Sequence, residues 1–204
     1  MDKLKNIIKY NKRMMIFMTI IVIIGVISGS ILCVILSSDD KKAVIESVQS
    51  FNTNIVNNSF DYITSIKNVF IPNILITLLI WLLGISIIGA LISIGLLFWK
   101  AFTLGFSISS FVLAFNFKGI LICIFYIFPL IINLLIFMYM STYSTKLSIV
   151  LIKSIIGKQT INFKRFINNY VKVLLVSIIV IIISGLHEVF INPYILKNII
   201  NLLF

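Results

Sequence analysis

A single histidine, six acidic residues and two cysteines are all that this 204-residue chain offers for acid–base, metal or thiol chemistry. Each scarcity excludes something. His187 and Glu188 open like an HExxH zinc helix, but Ile191 occupies the second ligand position and no other histidine can replace it. The acids are Asp2, Asp39, Asp40, Glu46, Asp61 and Glu188, and nothing in their spacing pairs two carboxylates for general acid–base work. Gly84-Ile85-Ser86 looks like a fragment of a nucleophile motif without a base to activate it. The chain is therefore not expected to be an enzyme, and it implies no cofactor and no metal. Cys33 and Cys123 read as small apolar side chains, although a bond between them is geometrically open.

Charge is missing from long stretches as well. Residues 14–36, 74–98, 101–117, 119–140 and 171–186 are almost wholly apolar, and 60% of the chain is hydrophobic. A helix rises about 1.5 Å per residue and needs roughly 20 apolar residues to cross about 30 Å of hydrocarbon. The last run reaches that length only by continuing to 190, which puts Glu188 near a headgroup layer. The 101–117 run is bracketed by Lys100 and Lys118, whose ammonium groups can snorkel outward. The expected fold is all-α: a polytopic membrane helix bundle in a lipid bilayer, with five transmembrane helices (14–36, 74–98, 101–117, 119–140, 171–190) forming a single membrane domain, 14–204, after a basic tail, 1–13.

Charge asymmetry orients it. The tail carries Lys3, Lys5, Lys9, Lys12 and Arg13, and the 141–170 connection carries Lys146, Lys153, Lys158, Lys164 and Arg165, with Lys172 just beyond it. Five crossings then place the net +11 on the cytoplasmic side and leave the outer side neutral, with the amino terminus in and the carboxyl terminus out. These basic residues flank apolar runs and form no stripe interleaved with stacking aromatics, so nucleic acid is not an expected partner. The first run is too long for a secretory signal, and its small residues Ser28, Gly29 and Ser30 lie inside it, so it reads as an uncleaved anchor.

Two amphipathic segments lie outside the runs. In the extracytoplasmic segment 37–73, Val44, Val48, Phe51 and Ile55 recur at helical spacing, Ser38 or Asp39 offers a cap, and Asn57-Asn58-Ser59 marks a break before a second piece from Phe60 to Phe70, with Pro72 starting the next crossing. A helical hairpin on the outer surface is expected, as a cover for the bundle or as a docking platform. On the cytoplasmic side, 144–156 reads as an interfacial helix ended by Gly157, followed by a basic stretch with Phe163, Phe166 and Tyr170 suited to anionic headgroups.

Within the runs, Gly25 and Gly29, Gly89 and Ser93, and Ala101, Gly105 and Ser109 are spaced by four, which lines up small side chains for close helix packing within the chain or in a homo-oligomer. Asn133, one turn after Pro129, reads as part of a structural kink in which a freed carbonyl is satisfied by Asn133 or by a serine from a neighbouring helix. No helix centre carries a charge on this division of the chain, which speaks against a pore.

The run Trp81-Leu82-Leu83-Gly84-Ile85-Ser86-Ile87-Ile88-Gly89, then Lys100 to Phe106, Pro129, and His187-Glu188-Val189-Phe190-Ile191-Asn192-Pro193 together resemble the stage II sporulation protein M family. The wider family often has Pro-His-Gly and then Glu in the fourth helix; here Leu130 and Ile131 follow Pro129, so no role of that acid carries over. The resemblance implies a scaffold in the mother-cell membrane that recruits stage II sporulation proteins D and P, which degrade peptidoglycan, to the engulfing membrane. By position, Val44, Val48, Phe51, Ile55, Glu188 and Pro193 are the expected partner contacts. The alternatives are a small transporter or channel-like protein, since a proline-broken helix with a midplane amide can bind substrate, and a membrane-shaping role through the interfacial segments.

Overall fold

The computed structural model describes the backbone of residues 2–57, 59, 61–157 and 163–204, and the side chains of these apart from 2–11 and 163–166. The basic side chains of the leader before Lys12, Asn58, Phe60, and the stretch from Lys158 with the side chains of Phe163 and Phe166 thus lie outside the described residues. The helices are α1 (Asp2–Ile35), α2 (Ser38–Val56), α3 (Tyr62–Gly84), α4 (Gly89–Gly157), α5 (Phe163–Leu186) and α6 (Asn192–Leu203), the last two joined by a π-helical stretch, His187–Ile191; among the described residues there is no strand. Four helical rods are long and apolar enough to cross a bilayer: Lys12–Ile35, Tyr62–Gly84, Gly89–Gly157 and Ile167–Leu203. Ile16, Phe17, Ile20, Ile23, Ile27 and Ile31 stand exposed along α1, and acyl chains are the solvent that makes such a surface stable. The protein is a multi-pass membrane protein.

α4 is two helices in one. Asn116, at φ 50° and ψ −128°, is the non-glycine residue with left-handed φ, and it turns the chain back on itself. Gly119 then lies against the carbonyl of Phe111, in space that a Cβ would fill. The result is an antiparallel pair, 89–115 and 117–157.

Three boundaries differ from the sequence expectation. The second and third runs do not divide at Trp99-Lys100. α3 ends at Gly84, and helix 89–115 passes straight through Lys100. The break falls in Ile85 to Ile88, residues apolar enough to look like mid-helix, because Ile85 and Ser86 close short bonds to Leu82 and Leu83 while the Ser148 hydroxyl donates to the carbonyls of Gly84 (3.3 Å) and Ser86 (2.8 Å). The outer hairpin is reduced to one free arm. α2 is a separate helix, capped by Ser37 rather than Ser38 or Asp39, but its expected second arm is the start of α3, which runs unbroken from its Asp61 cap through Pro72. The Thr64 hydroxyl and the Ile63 amide donate to Asp61 and hold its carboxyl below the usual carboxylate range. The cytoplasmic helix expected at 144–156 is continuous with helix 117–157, and Ser141 to Ser148 are largely buried.

α1 packs on α4, and it runs parallel to helix 89–115, Gly25 lying beside Ala101 and Gly29 beside Phe102. A Cβ on Gly25 would come 2.7 Å from Ala101 Cβ and 2.9 Å from the Phe98 carbonyl. Gly29 meets the carbonyl of Phe102, and Gly105 meets that of Val26, too closely for any side chain. Ser30 adds a hydrogen bond to the Gly105 carbonyl, 3.0 Å. Gly89 sits against the carbonyl of Leu83, Ser93 is fully buried with its carbonyl accepting from Ser141, and Ser109 is half-buried.

Gly29→Leu or Gly105→Leu should push α1 off its partner and cost about 3 kcal/mol by overpacking. Gly95, which has open space around its missing Cβ, serves as the control: Gly95→Ala should leave stability unchanged or raise it by up to about 1 kcal/mol. Unfolding of the purified protein in detergent measures both; equal behaviour of the three variants would contradict the packing.

Candidate functional site

Moving the helix break from residue 99 to residue 85 carries Lys100 from a loop into the bundle. Its Nζ donates to Asn73 Oδ1 of α3 at 3.1 Å and lies 5.4 Å from the centre of the Phe137 ring. Opposite, on the π-helical stretch, is Glu188, whose carboxylate receives the Asn133 amide at 3.5 Å, the long limit of a hydrogen bond. No ion pair joins Lys100 and Glu188; Lys42 and Asp39 form one on the exposed face of α2. An ammonium and a carboxylate are thus held inside the spanning bundle, each steadied by a different asparagine. Intramembrane charges of this kind mark functional sites more often than structural ones.

The π-helical stretch has a local cause. Pro193, at the start of α6, has no amide to donate into the preceding turn, and its ring crowds the carbonyl one turn back. The chain responds by widening, with the Asn192 amide reaching back to the His187 carbonyl, which swings Glu188 toward helix 117–157.

Two cavities lie here, with one lining residue in common. One, of about 120 Å³, is walled by Asn73, Lys100, Ser107, Tyr126, Asn133 and Phe137, among others. The second, of about 360 Å³, holds Glu188, Asn192 and Pro193 together with Phe51, Asn68 and Tyr126. Tyr126 belongs to both walls. Asn133 Oδ1 and Asn192 Oδ1 are buried and have no hydrogen-bond partner among the described residues. The volumes are ample for several waters or a small polar molecule.

The residues singled out from sequence are distributed as follows. Asn133 and Glu188, expected to serve a kink and a partner contact respectively, are brought together. Pro129 lies within continuous helix; the carbonyl left without its amide partner there is that of Phe125, one turn back, whereas the Ser184 hydroxyl donates to the carbonyl of Pro129 itself at 3.0 Å. Val44 and Val48 are half-buried and Ile55 is buried, while the Phe51 ring meets Phe111 and Tyr126 edge-on at 6.2 and 5.7 Å. That face of α2 is turned to the bundle. Cys33 and Cys123 are both buried and unpaired with each other. The residues that sequence reasoning missed are Lys100, Asn73 and Tyr126. The Gly84 and Gly89 pair was the available signal, since it offers a helix break that leaves Lys100 in the middle of an apolar helix.

Lys100→Met and Glu188→Gln should each destabilise the protein, because each leaves the other charge uncompensated in a poorly solvated interior. The double variant should recover at least about 1 kcal/mol relative to the sum of the two. A double-mutant cycle on the detergent unfolding transition checks this, and strict additivity would show that the two charges act independently.

The family model of stage II sporulation protein M matches residues 14–193, which takes in α2, the paired arms of α4 and both halves of the polar site. No curated protein and no solved structure is significantly similar to the chain. An all-helical multi-pass membrane protein matched over this length belongs to the stage II sporulation protein M family, a family of sporulation membrane proteins.

Proposed function

We propose that the protein is a noncatalytic scaffold of the engulfing membrane in endospore formation, which presents an outer helix to the peptidoglycan-degrading stage II sporulation proteins D and P. The observation that carries this reading is α2, a helix fastened to the bundle by one face, with Glu46, Gln49, Ser50, Thr53 and Asn54 left exposed on the others. A platform of that kind binds by side-chain complementarity and needs no reacting group. The recruiting surface on α2 is accordingly placed opposite Val44, Val48, Phe51 and Ile55.

Five crossings support the orientation. α1, α3, helix 89–115, helix 117–157 and the α5–α6 rod alternate in direction, so that Lys12, Arg13, Lys146, Lys153 and Lys172 share the Gly84 end of the bundle. Positive flanks belong in the cytosol, which leaves α2 and the Asn116 end outside. The second reading, a small transporter, is favoured by the charges inside the bundle. Flux into liposomes abolished by Asn133→Ala would support it over recruitment.

Two measurements test the scaffold. With Cys33 and Cys123 replaced by alanine, Ser47→Cys should react with a membrane-impermeant maleimide in intact sporulating cells, while Lys153→Cys should react only after permeabilisation. Affinity capture should bring down proteins D and P, and Glu46→Lys with Gln49→Lys should reduce their recovery at least tenfold at unchanged membrane levels. A sealed Ser47 position or undiminished capture would overturn the proposal.

A further inference from the structure

Opposite charges free to move in a poorly solvated interior close into an ion pair, since little else there offsets their desolvation. Lys100 and Glu188 do not. Asn73 presents its carbonyl oxygen to the ammonium and Asn133 its amide to the carboxylate, so each asparagine satisfies one charge and holds it apart from the other. Lys100 lines one cavity and Glu188 the other, and Tyr126 stands in the walls of both.

We propose that this is a binding site for a small zwitterion, a primary ammonium separated by a few atoms from a carboxylate or phosphate. The ligand's anionic end belongs at Lys100, whose ammonium has three protons and gives one to Asn73. Thr103 and Ser107 donate their hydroxyl protons to the carbonyls of Lys100 and Thr103, which leaves Lys100 as the charged donor of that pocket. The ligand's ammonium belongs at Glu188, where the free oxygens Asn133 Oδ1 and Asn192 Oδ1, both on side chains 3% exposed, are further acceptors. Lys100 thus stands at one end and Glu188 with the Asn192 oxygen at the other, and Asn133, which lines the Lys100 cavity and donates to Glu188, links the two. A ligand of single charge would satisfy one end and leave the other unmatched, and a neutral one would satisfy neither. The ligand's source is a soluble amino acid or the headgroup of an ethanolamine phospholipid; both carry the same pair of charges. The inference stands independently of recruitment by α2.

The test uses the full-length protein in nanodiscs of phosphatidylglycerol, with thermal unfolding and calorimetry against L-alanine and phosphoethanolamine as probes, and with acetate and ethylammonium as their single-charge halves. At least one zwitterion should raise the unfolding temperature saturably, and the halves should bind at least tenfold more weakly. Lys100→Met and Glu188→Gln should each abolish binding. Because those variants are also expected to be less stable, Asn133→Ala is the third: it removes an acceptor that has no partner, and should weaken binding about tenfold in a protein that still folds. Adding phosphatidylethanolamine to the nanodiscs separates the sources. Competition with the soluble probe assigns the site to the lipid headgroup, and unchanged binding assigns it to a soluble zwitterion. Equal binding of zwitterions and their halves, no binding by either probe in any nanodisc, or unaltered binding by all three variants would overturn the site.

Discussion

The contact between Lys100 and Asn73 governs how the rest of the bundle is arranged. An ammonium in this position must face protein, and once it faces α3 the register of helix 89–115 is set. Leu97 and Leu104, one turn to either side, are then drawn into the core. Ala101, a further 100° around the helix, falls with Gly105 on the side where α1 packs, and the small residues of the two helices meet. Trp99 is left 60% exposed, available to lipid. One half-buried charge thus orients a helix whose own residues, apolar nearly all round, would otherwise allow several rotations.

Hydroxyl groups do the corresponding work at irregular points of the backbone. Ser184 serves the Pro129 carbonyl, Ser148 the turn after α3, and Tyr170 the Trp81 carbonyl at 2.8 Å while its ring stacks on Trp81. Each bond runs from one helix to the backbone of another, at a helix end or at a proline within a helix. In hydrocarbon no water can take that role, so the breaks in the helices and the hydroxyls of their neighbours are tied together. Apolar faces supply most of the contact area, and these few polar bonds select which arrangement of the helices is adopted.

This explains what could be read in the sequence and what could not. Helical class and membrane residence followed from composition and run length, because hydrocarbon admits few backbone solutions. Helix α2 followed from the spacing of Val44, Val48, Phe51 and Ile55. The break between α3 and α4 did not, because Ile85, Ile87 and Ile88 are as apolar as any helix interior, and the groups that stabilise the turn come from Ser148, far along the chain. A lysine at position 100 looked like a loop marker for the same reason: its compensating partners, Asn73 and Phe137, are contacts of tertiary structure that hydropathy does not contain. Glu188 was read from run length alone, and its contact with Asn133, made from a widened turn just before Pro193, is one that hydropathy does not contain.

The outer platform and the interior site are joined through one side chain. Phe51 reaches from α2 to the rings of Phe111 and Tyr126, and it lines the cavity that also contains Glu188. Tyr126 also lines the cavity holding Lys100. α2 is attached to the remainder of the bundle by packing on α4 and α6, with Asn52 buried among apolar groups and both of its amide atoms without a partner among the described residues. An unsatisfied buried amide weakens the attachment it sits in, whereas aromatic packing tolerates small displacements better than a hydrogen bond does. The seat of α2 therefore rests on Phe51 and Ile55 more than on directional bonds.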